Sequence, residues 1–354
     1  MRALRLAPLL VLLAGCAGPA PNAPRANVYV PRGSSLAGVT DSLAAHRVVT
    51  SPWKFRMYAR MRGLARRVRP GLYEFAEGER WTTIVSALES GRTHDFFFTV
   101  PEGLTVEEIA ELASEKLRLA RDSIRTAVRD SFLAAARDPA LREALLLDVP
   151  PGVKEPLEGY LLPETYRVAY DETPRDLVTQ MARQYLQLWD SSWDRRAEEL
   201  GLTRHQVTTL ASIVEAEAQL ASERPRIAGV YLNRLRRRML LQADPTVIYA
   251  LDKPVRRVLF SHLKVRSPYN TYLYPGLPPG PIGNPGRASL EATLNPQQHN
   301  LYFFVARPDG RHMFSRTSGE HVDSVAVSRV LRAAFEKTRD SLAALGGGRD
   351  TLRP

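Results

Sequence analysis

Three stretches of this chain repeat one short pattern, and that repeat constrains the fold more than any other feature. Val28–Ser35 reads Val-Tyr-Val-Pro-Arg-Gly-Ser-Ser and leads into the helical pattern 36–45. Phe98–Thr105 reads Phe-Thr-Val-Pro-Glu-Gly-Leu-Thr and leads into the helical pattern 106–117. Tyr73–Gly78 is a weaker copy ahead of 81–88. Each copy places an alternating apolar run, then a glycine, then an amphipathic stretch, so each predicts a strand, a turn and a capped helix. Further on, 106–147 is rich in Ala, Leu, Arg and Glu and predicts helices. Pro150–Pro156 breaks the pattern, and Leu157–Tyr166 predicts an ordered loop or strand edge. Helices are predicted again over 174–189 and 192–200. A Pro-rich loop follows over 267–286, then a strand over 301–306, a turn at 308–310, a strand over 312–315 and a helix over 321–345. The expected class is α+β: a small α+β region 28–105, a helical connecting region 106–200, a mainly helical region 201–345 with a few strands, and a tail 346–354.

Strand-turn-helix units of this size resemble LysM-like modules, which bind amino-sugar chains. The same pattern also suits a small α+β spacer, and the pattern alone leaves both readings open.

The first residues bear on compartment. Arg2 and Arg5 precede the apolar run Leu6–Ala14, which ends in Leu13-Ala14-Gly15-Cys16. A basic head, a short apolar run and small residues before a cut site describe a secretory signal over 1–15. That run is too short to span a bilayer, which takes roughly 20 apolar residues. Cys16 is the single cysteine, so an intrachain disulfide is impossible and stability must come from the core. Leu-Ala-Gly-Cys resembles the bacterial lipobox, in which the cysteine is lipidated, and 16–27 then reads as a Pro/Ala/Asn-rich tether. The net charge of +11 suits an anionic membrane surface, a wall polymer or nucleic acid. The export signal argues against nucleic acid.

The densest chemistry lies between Thr203 and Tyr249. Thr203 and Gln206 have capping-box spacing, so a helix is expected to start there. Val207, Leu210, Val214 and Glu217 share one helical face, with Ala211, Ile213 and Ala218 beside them. Glu215 lies about 160° from Glu217 around the helix and is expected to stay hydrated and ionised. A carboxyl among apolar side chains loses solvation and holds its proton to higher pH, as a general acid requires. Glu217 is therefore the candidate acid and Glu215 the fallback. The plainer alternative is a buried Glu217 satisfied by Arg224 or Arg234. Ser222 is the expected N-cap of the next helix, with Pro225 in its first turn. Asp244, before Pro245, reads first as an N-cap. Tyr269–Tyr272 and Gly276–Ile282 form a stretch that Pro and Gly make rigid without regular structure. Tyr and Asn on such a loop suit a sugar: rings stack, and amides bond hydroxyl and N-acetyl groups. The seven histidines are dispersed, with no paired Cys/His spacing, so no metal site is expected. No Gly-rich phosphate loop occurs, no cofactor is expected, and neither Ser212 nor Ser222 sits in a nucleophile motif.

These segments together resemble one family. Ala211–Glu217, Ser222–Arg224, Val230–Arg234, Leu241–Tyr249, Tyr269–Tyr272, Gly276–Ile282 and Pro285–Gly286 are similar in order and spacing to the endolytic murein transglycosylases (MltG, or YceG-like). Pro70–Tyr73, Pro101–Gly103, Glu158–Tyr166, Tyr302–Ala306 and His312–Ser315 agree. The resemblance implies a LysM-like N-terminal region and a catalytic region whose essential glutamate lies on the helix around Ser212–Gln219. It implies cleavage of the β-1,4 bond between N-acetylmuramic acid and N-acetylglucosamine, leaving a 1,6-anhydro end without water. One carboxyl then serves as acid and afterwards as base, unlike the paired carboxylates of hydrolases. Other lytic transglycosylases carry Glu followed by Ser on a helix; that pattern falls on Glu217-Ala218. Asn233, Gln242, Asp244, Thr246, Tyr269, Asn270 and Tyr272 are the expected glycan contacts. The implied partners are peptidoglycan strands and, as a candidate, the cell-wall synthesis machinery. Members usually carry a transmembrane helix, whereas this chain offers Cys16 as a lipid anchor. The absence of Asp at position 17 leans towards the outer membrane over the inner. The alternative readings are a catalytically inactive peptidoglycan-binding lipoprotein and a purely structural envelope lipoprotein.

Overall fold

The computed structural model describes residues 18–31, 33–91, 96–121, 125–169, 172–251, 255 and 258–346. The expected leader 1–15, the lipidation site Cys16 and the tail from 347 on lie outside the described residues. In chain order the elements begin with β1 (Arg25–Val30), α1 (Leu36–Ala45), α2 (Pro52–Met61), β2 (Gly71–Ala76), α3 (Trp81–Ser90) and β3 (Phe96–Thr99). Next come α4 (Val106–Arg121), α5 (Arg125–Ala136), α6 (Pro139–Ala144), β4 (Thr165–Val168), α7 (Pro174–Leu188) and α8 (Ser191–Leu200). The remainder is α9 (Arg204–Glu217), α10 (Arg224–Arg236), α11 (Asp244–Ala250), α12 (Arg287–Leu294), β5 (Phe303–Ala306), β6 (His312–Ser315) and α13 (Ser318–Gly346). The class is α+β, with small antiparallel strand pairs among many helices. No helix among the described residues is long and apolar enough to cross a membrane.

The chain forms two compact units, the first from residues 1–99, 115–125 and 165–177. In this unit β1 pairs antiparallel with β2, Val28 opposite Tyr73 and Val30 opposite Gly71. The alternation puts Val28, Val30, Tyr73 and Phe75 on one buried face, where they meet Val39, Leu43, Phe55, Ile84 and Leu88 from the helices. Trp81 sets its ring edge-on to Phe55, with centroids 5.8 Å apart. The order here is β-α-α-β, with the two strands adjacent. β1 starts at Arg25, inside the stretch expected as a tether, because Arg25, Ala26 and Asn27 find strand partners in Ala76, Phe75 and Glu74. The third copy of the repeat behaves differently: β3 pairs with β4, Phe98 opposite Tyr166. The turn glycines Gly33, Gly78 and Gly103 all sit at positive φ, at 76°, 71° and 82°, which explains a glycine at that place in every copy.

The second unit holds 100–114, 126–164 and 178–354. Its centre is α9. Thr203 accepts from the Gln206 backbone and Gln206 returns a bond to the Thr203 N–H, a complete capping box. Leu210, Ile213 and Val214 pack with Ile227, Ala228 and Tyr231 of α10, and with Leu241, Tyr269 and Ile282 from the loops. The start of α10 departs from expectation. Ser222 lies in a short 3₁₀ turn, and Glu223 stands at the N-cap without a side-chain bond. That geometry leaves the Glu223 carboxylate free to hold His312 from β6, 2.7 Å away. At α13 the helix begins at Ser318, three residues before the expected start, because the Thr317 hydroxyl accepts the Glu320 N–H.

The 267–286 loop lacks regular structure, as its prolines require, yet it is tied at intervals to α9. His205 Nε2 donates to the Pro279 carbonyl (2.8 Å), and Nδ1 accepts the Tyr160 hydroxyl (2.6 Å). Ser212 Oγ accepts the Ile282 N–H, and Glu215 Oε2 accepts the Gly286 N–H. Asn284 binds the other side of the loop: its N–H donates to the Leu104 carbonyl and its carbonyl accepts the Gly103 N–H. The backbones approach so closely there that a Cβ on Gly283 would stand 2.5 Å from the Gly103 carbonyl oxygen. Gly283→Ala is therefore expected to cost about 2 kcal/mol, read as a lowered thermal midpoint. An unchanged midpoint would show that this contact yields freely.

Candidate functional site

Glu217 is the last residue of α9, and its half-buried side chain lies beside α10. The α10 periodicity turns Tyr231 inward, and the Tyr231 hydroxyl donates to Glu217 Oε1 at 2.9 Å. Burial drives the Glu217 carboxyl up to about 7; the Tyr231 bond and the Arg234 charge pull it down, and Asp244 pushes it further up. The carbonyl end of α9, where the helix dipole is negative, acts in the same upward direction. The first residue of α11, Asp244, accepts the Tyr272 hydroxyl at 2.6 Å. Burial and Asp244 both raise Tyr272, so it holds its proton and remains a donor. The result is a carboxyl that can give or take a proton near neutral pH, with a tyrosine hydroxyl holding it in place.

Neither arginine expected as a neutralising partner for Glu217 bonds to it. Arg224 donates to Glu215 Oε1 (2.8 Å) and to Glu102 Oε2 (3.1 Å). Arg234 spends its guanidinium on backbone carbonyls: Nε on Tyr302, and Nη1 on Leu240 and Leu241. This buried fork ties α10 to the hairpin β5–β6 and to the turn before α11. In the hairpin, Phe304 sets its ring edge-on to Tyr231 with centroids 5.7 Å apart, and supports the tyrosine that holds Glu217.

Glu215 corrects an expectation. It was expected on the hydrated side of the helix, but its side chain is only 8% exposed. It is a structural anion, clamped between the Arg224 guanidinium and the Gly286 N–H. The helix wheel placed it correctly away from Glu217. What covers it arrives from Arg224, Gly286 and the Glu102 turn. Glu102 shares Arg224, and burial and the nearby Glu215 charge raise its carboxyl above the ordinary value.

The expected glycan contacts divide into two groups. Gln242 and Asp244 are exposed and Tyr272 is half-buried. Gln242 holds φ at 48°, a left-handed conformation that costs free energy in a non-glycine residue. The other four are committed to the framework. Asn270 is buried, with Nδ2 on the Leu263 and Val265 carbonyls and Oδ1 on the Tyr272 N–H. Thr246 is buried and donates to the Ala243 carbonyl. Tyr269 is buried and its hydroxyl accepts the Lys154 N–H. Asn233 Nδ2 binds the carbonyls of His299 and Leu301. Asn270, Thr246 and Tyr269 shape the loop around Tyr272 from the interior, while the half-buried Asn233 ties α10 to the segment before β5. Asp244 also departs from the expected cap, since the N-cap is Ala243 and no side-chain capping bond forms.

Tyr231 is the site residue that sequence reasoning missed as a partner of Glu217; in the sequence it stood within the Val230–Arg234 segment. Its hydroxyl donates to the carboxyl and favours the ionised form. Tyr231→Phe is expected to raise the Glu217 titration midpoint above about 7, measured by NMR titration of the labelled carboxyl. A midpoint that falls would contradict this bond.

Comparison with known proteins bears on the chain as a whole. The YceG-like family model matches residues 28–327. Over 301 residues the chain is 33% identical to a Bacillus subtilis (strain 168) protein named endolytic murein transglycosylase, spanning 83% of this chain and 82% of that one. A Streptococcus pneumoniae (strain R6) protein of the same name is 28% identical over 322 residues; the match spans 84% of this chain and 57% of that longer protein. A crystal structure of a yceG-like protein from Listeria monocytogenes superposes with a TM-score of 0.59 at 30% identity, covering 84% of this chain and 98% of that one. A model match over most of the length, a relative at 33% identity and a shared fold together show that this chain belongs to the YceG-like family.

Proposed function

We propose that this chain is an endolytic peptidoglycan lytic transglycosylase, with Glu217 as its acid and base. The observation that carries the reading is the half-buried Glu217 carboxyl, raised to about 7 and held by Tyr231, in a chain similar along most of its length to a protein named for that activity. In this reading Glu217 protonates the oxygen that leaves muramyl C1. The muramyl C6 hydroxyl then bonds to C1 and returns its proton to Glu217. The C1–O4 bond breaks, a C1–O6 bond forms, and water is not consumed. Gln242, Asp244 and Tyr272 are the residues we assign to the glycan, because Gln242 and Asp244 are exposed and the half-buried Tyr272 hydroxyl bonds Asp244. The β-α-α-β order of the first unit supports a LysM-like role in holding the strand. We further place the protein at the bacterial envelope, lipidated at Cys16; the support is Leu13-Ala14-Gly15-Cys16 behind a short basic and apolar head.

The test is mass spectrometry of muropeptides released from purified sacculi. The expected products end in 1,6-anhydro-N-acetylmuramic acid. Reducing ends would assign a hydrolase instead. Strand binding without products would favour the inactive wall-binding reading. For the anchor, labelled palmitate is expected in the wild type and absent from Cys16→Ser.

A further inference from the structure

Helix α2 carries two faces of opposite use. Phe55 and Ala59 are buried in the core of the first unit. Trp53, Met57 and Met61, four residues apart in turn, form a stripe on the outer face and are 63%, 43% and 70% exposed. Large apolar side chains in a row on an outer helical face are costly in water, so the stripe calls for a partner.

The surrounding charge says which one. Between Pro52 and Arg69 the chain has seven Lys and Arg and no Asp or Glu. Two of these arginines have acidic partners elsewhere in the unit: Arg56 pairs with Asp41 and Arg67 with Glu89. Arg60, Arg62, Arg66 and Arg69 are exposed, and Lys54 sits 5.7 Å from the Trp53 ring. A second copy of this face would bring like charges together. A soluble glycan would meet the arginines but give the methionines no apolar medium. A bilayer rich in anionic lipid satisfies both: headgroups take the cations, the acyl boundary takes Met57 and Met61, and Trp53 suits the interface between them.

We propose that the α2 face of the first unit docks on the surface of an anionic lipid bilayer. The contact rests on α2 itself, so it is independent of the chemistry at Glu217 and of any anchor at Cys16. It would lay α2 in the plane of the interface.

The experiment uses the full chain with Cys16→Ser and vesicles whose acyl chains carry bromine, a quencher of buried indole. Phosphatidylglycerol vesicles are compared with phosphatidylcholine, and the emission of Trp53 is taken as the difference between this protein and the same protein with Trp53→Phe. Trp53 emission is expected to be quenched on phosphatidylglycerol and not on phosphatidylcholine. Reversing three charges together (Arg60→Glu, Arg62→Glu and Arg66→Glu) is expected to raise the lipid needed for half-maximal quenching about a hundredfold. Three outcomes overturn the proposal: vesicle-bound protein with Trp53 unquenched, equal quenching on both lipids, or Trp53 emission that answers instead to soluble glycan strands or to protein concentration.

Discussion

Glu217→Gln is expected to cut release of anhydro-ended muropeptides by about a thousandfold, the usual scale for a lost general acid. The fold should survive, because glutamine keeps the size of the side chain and an oxygen to accept the Tyr231 hydroxyl. Glu215→Gln is the contrasting variant. It weakens a buried ion pair with Arg224 and is expected to lower the thermal midpoint without changing the chemistry of the products. If the two variants exchanged behaviour, Glu215 would be the acid and the assignment made here would fail. The pH profile provides a second check on the same group. With its carboxyl raised to about 7, Glu217 carries the proton below that value and loses it above. The value of kcat/KM should therefore fall about tenfold per pH unit above neutrality on this group alone. A descending limb near pH 5 would mean that burial does not raise Glu217 as the geometry requires.

The second large effect is expected far from the reacting atoms in sequence. Glu158 is 2% exposed and receives three donors from three separate segments. Val106 N–H and Asn284 Nδ2 donate to Oε1, and the Tyr249 hydroxyl donates to Oε2. One side chain thus joins the start of α4, the 281–286 loop and the end of α11. Glu158→Ala removes the shared acceptor: the Val106 N–H loses its partner in the interior, Asn284 Nδ2 keeps only the Leu104 carbonyl, and the half-buried Tyr249 hydroxyl loses its acceptor. A loss of about 3 kcal/mol is therefore expected in denaturant unfolding. Glu158→Gln should cost much less, because burial pushes this carboxyl up to about 8 and the neutral amide resembles the protonated acid present at pH 7. The sign of the pH dependence follows. A carboxyl raised from 4.5 in the unfolded chain to about 8 in the native state binds more protons when folded. Its contribution is complete below about pH 4.5 and is lost as pH rises through about 8. Glu158→Gln should flatten that part of the stability curve. A wild-type curve that instead rises across this window would contradict the burial argument.

Local rules accounted for much of the architecture. The repeat of apolar alternation, turn glycine and helix foretold β1–α1, β2–α3 and β3–α4, because φ sterics act within a few residues, although Arg80 at the N-cap of α3 makes no side-chain capping bond. The Thr203–Gln206 box foretold the start of α9 for the same reason. The 3.6-residue period set Glu217 among apolar side chains and turned Glu215 away from it. Two things lay beyond local rules. Which strands pair is a long-range choice, and the third repeat chose Thr165–Val168 over its sisters. The surroundings of each polar side chain were equally out of reach. Glu215 is dry because Gly286 and Glu102 come to it, and Glu158 is a hub because Asn284 does. In the 267–286 loop no period relates one side chain's direction to the next, so the sequence named Tyr269, Asn270 and Tyr272 alike. Only packing decided that Asn270 and Tyr269 face inward while Tyr272 bonds Asp244 near the Glu217 carboxyl. Periodicity determines which way a residue points on its own helix; what it meets there is determined by segments that fold against it from far along the chain.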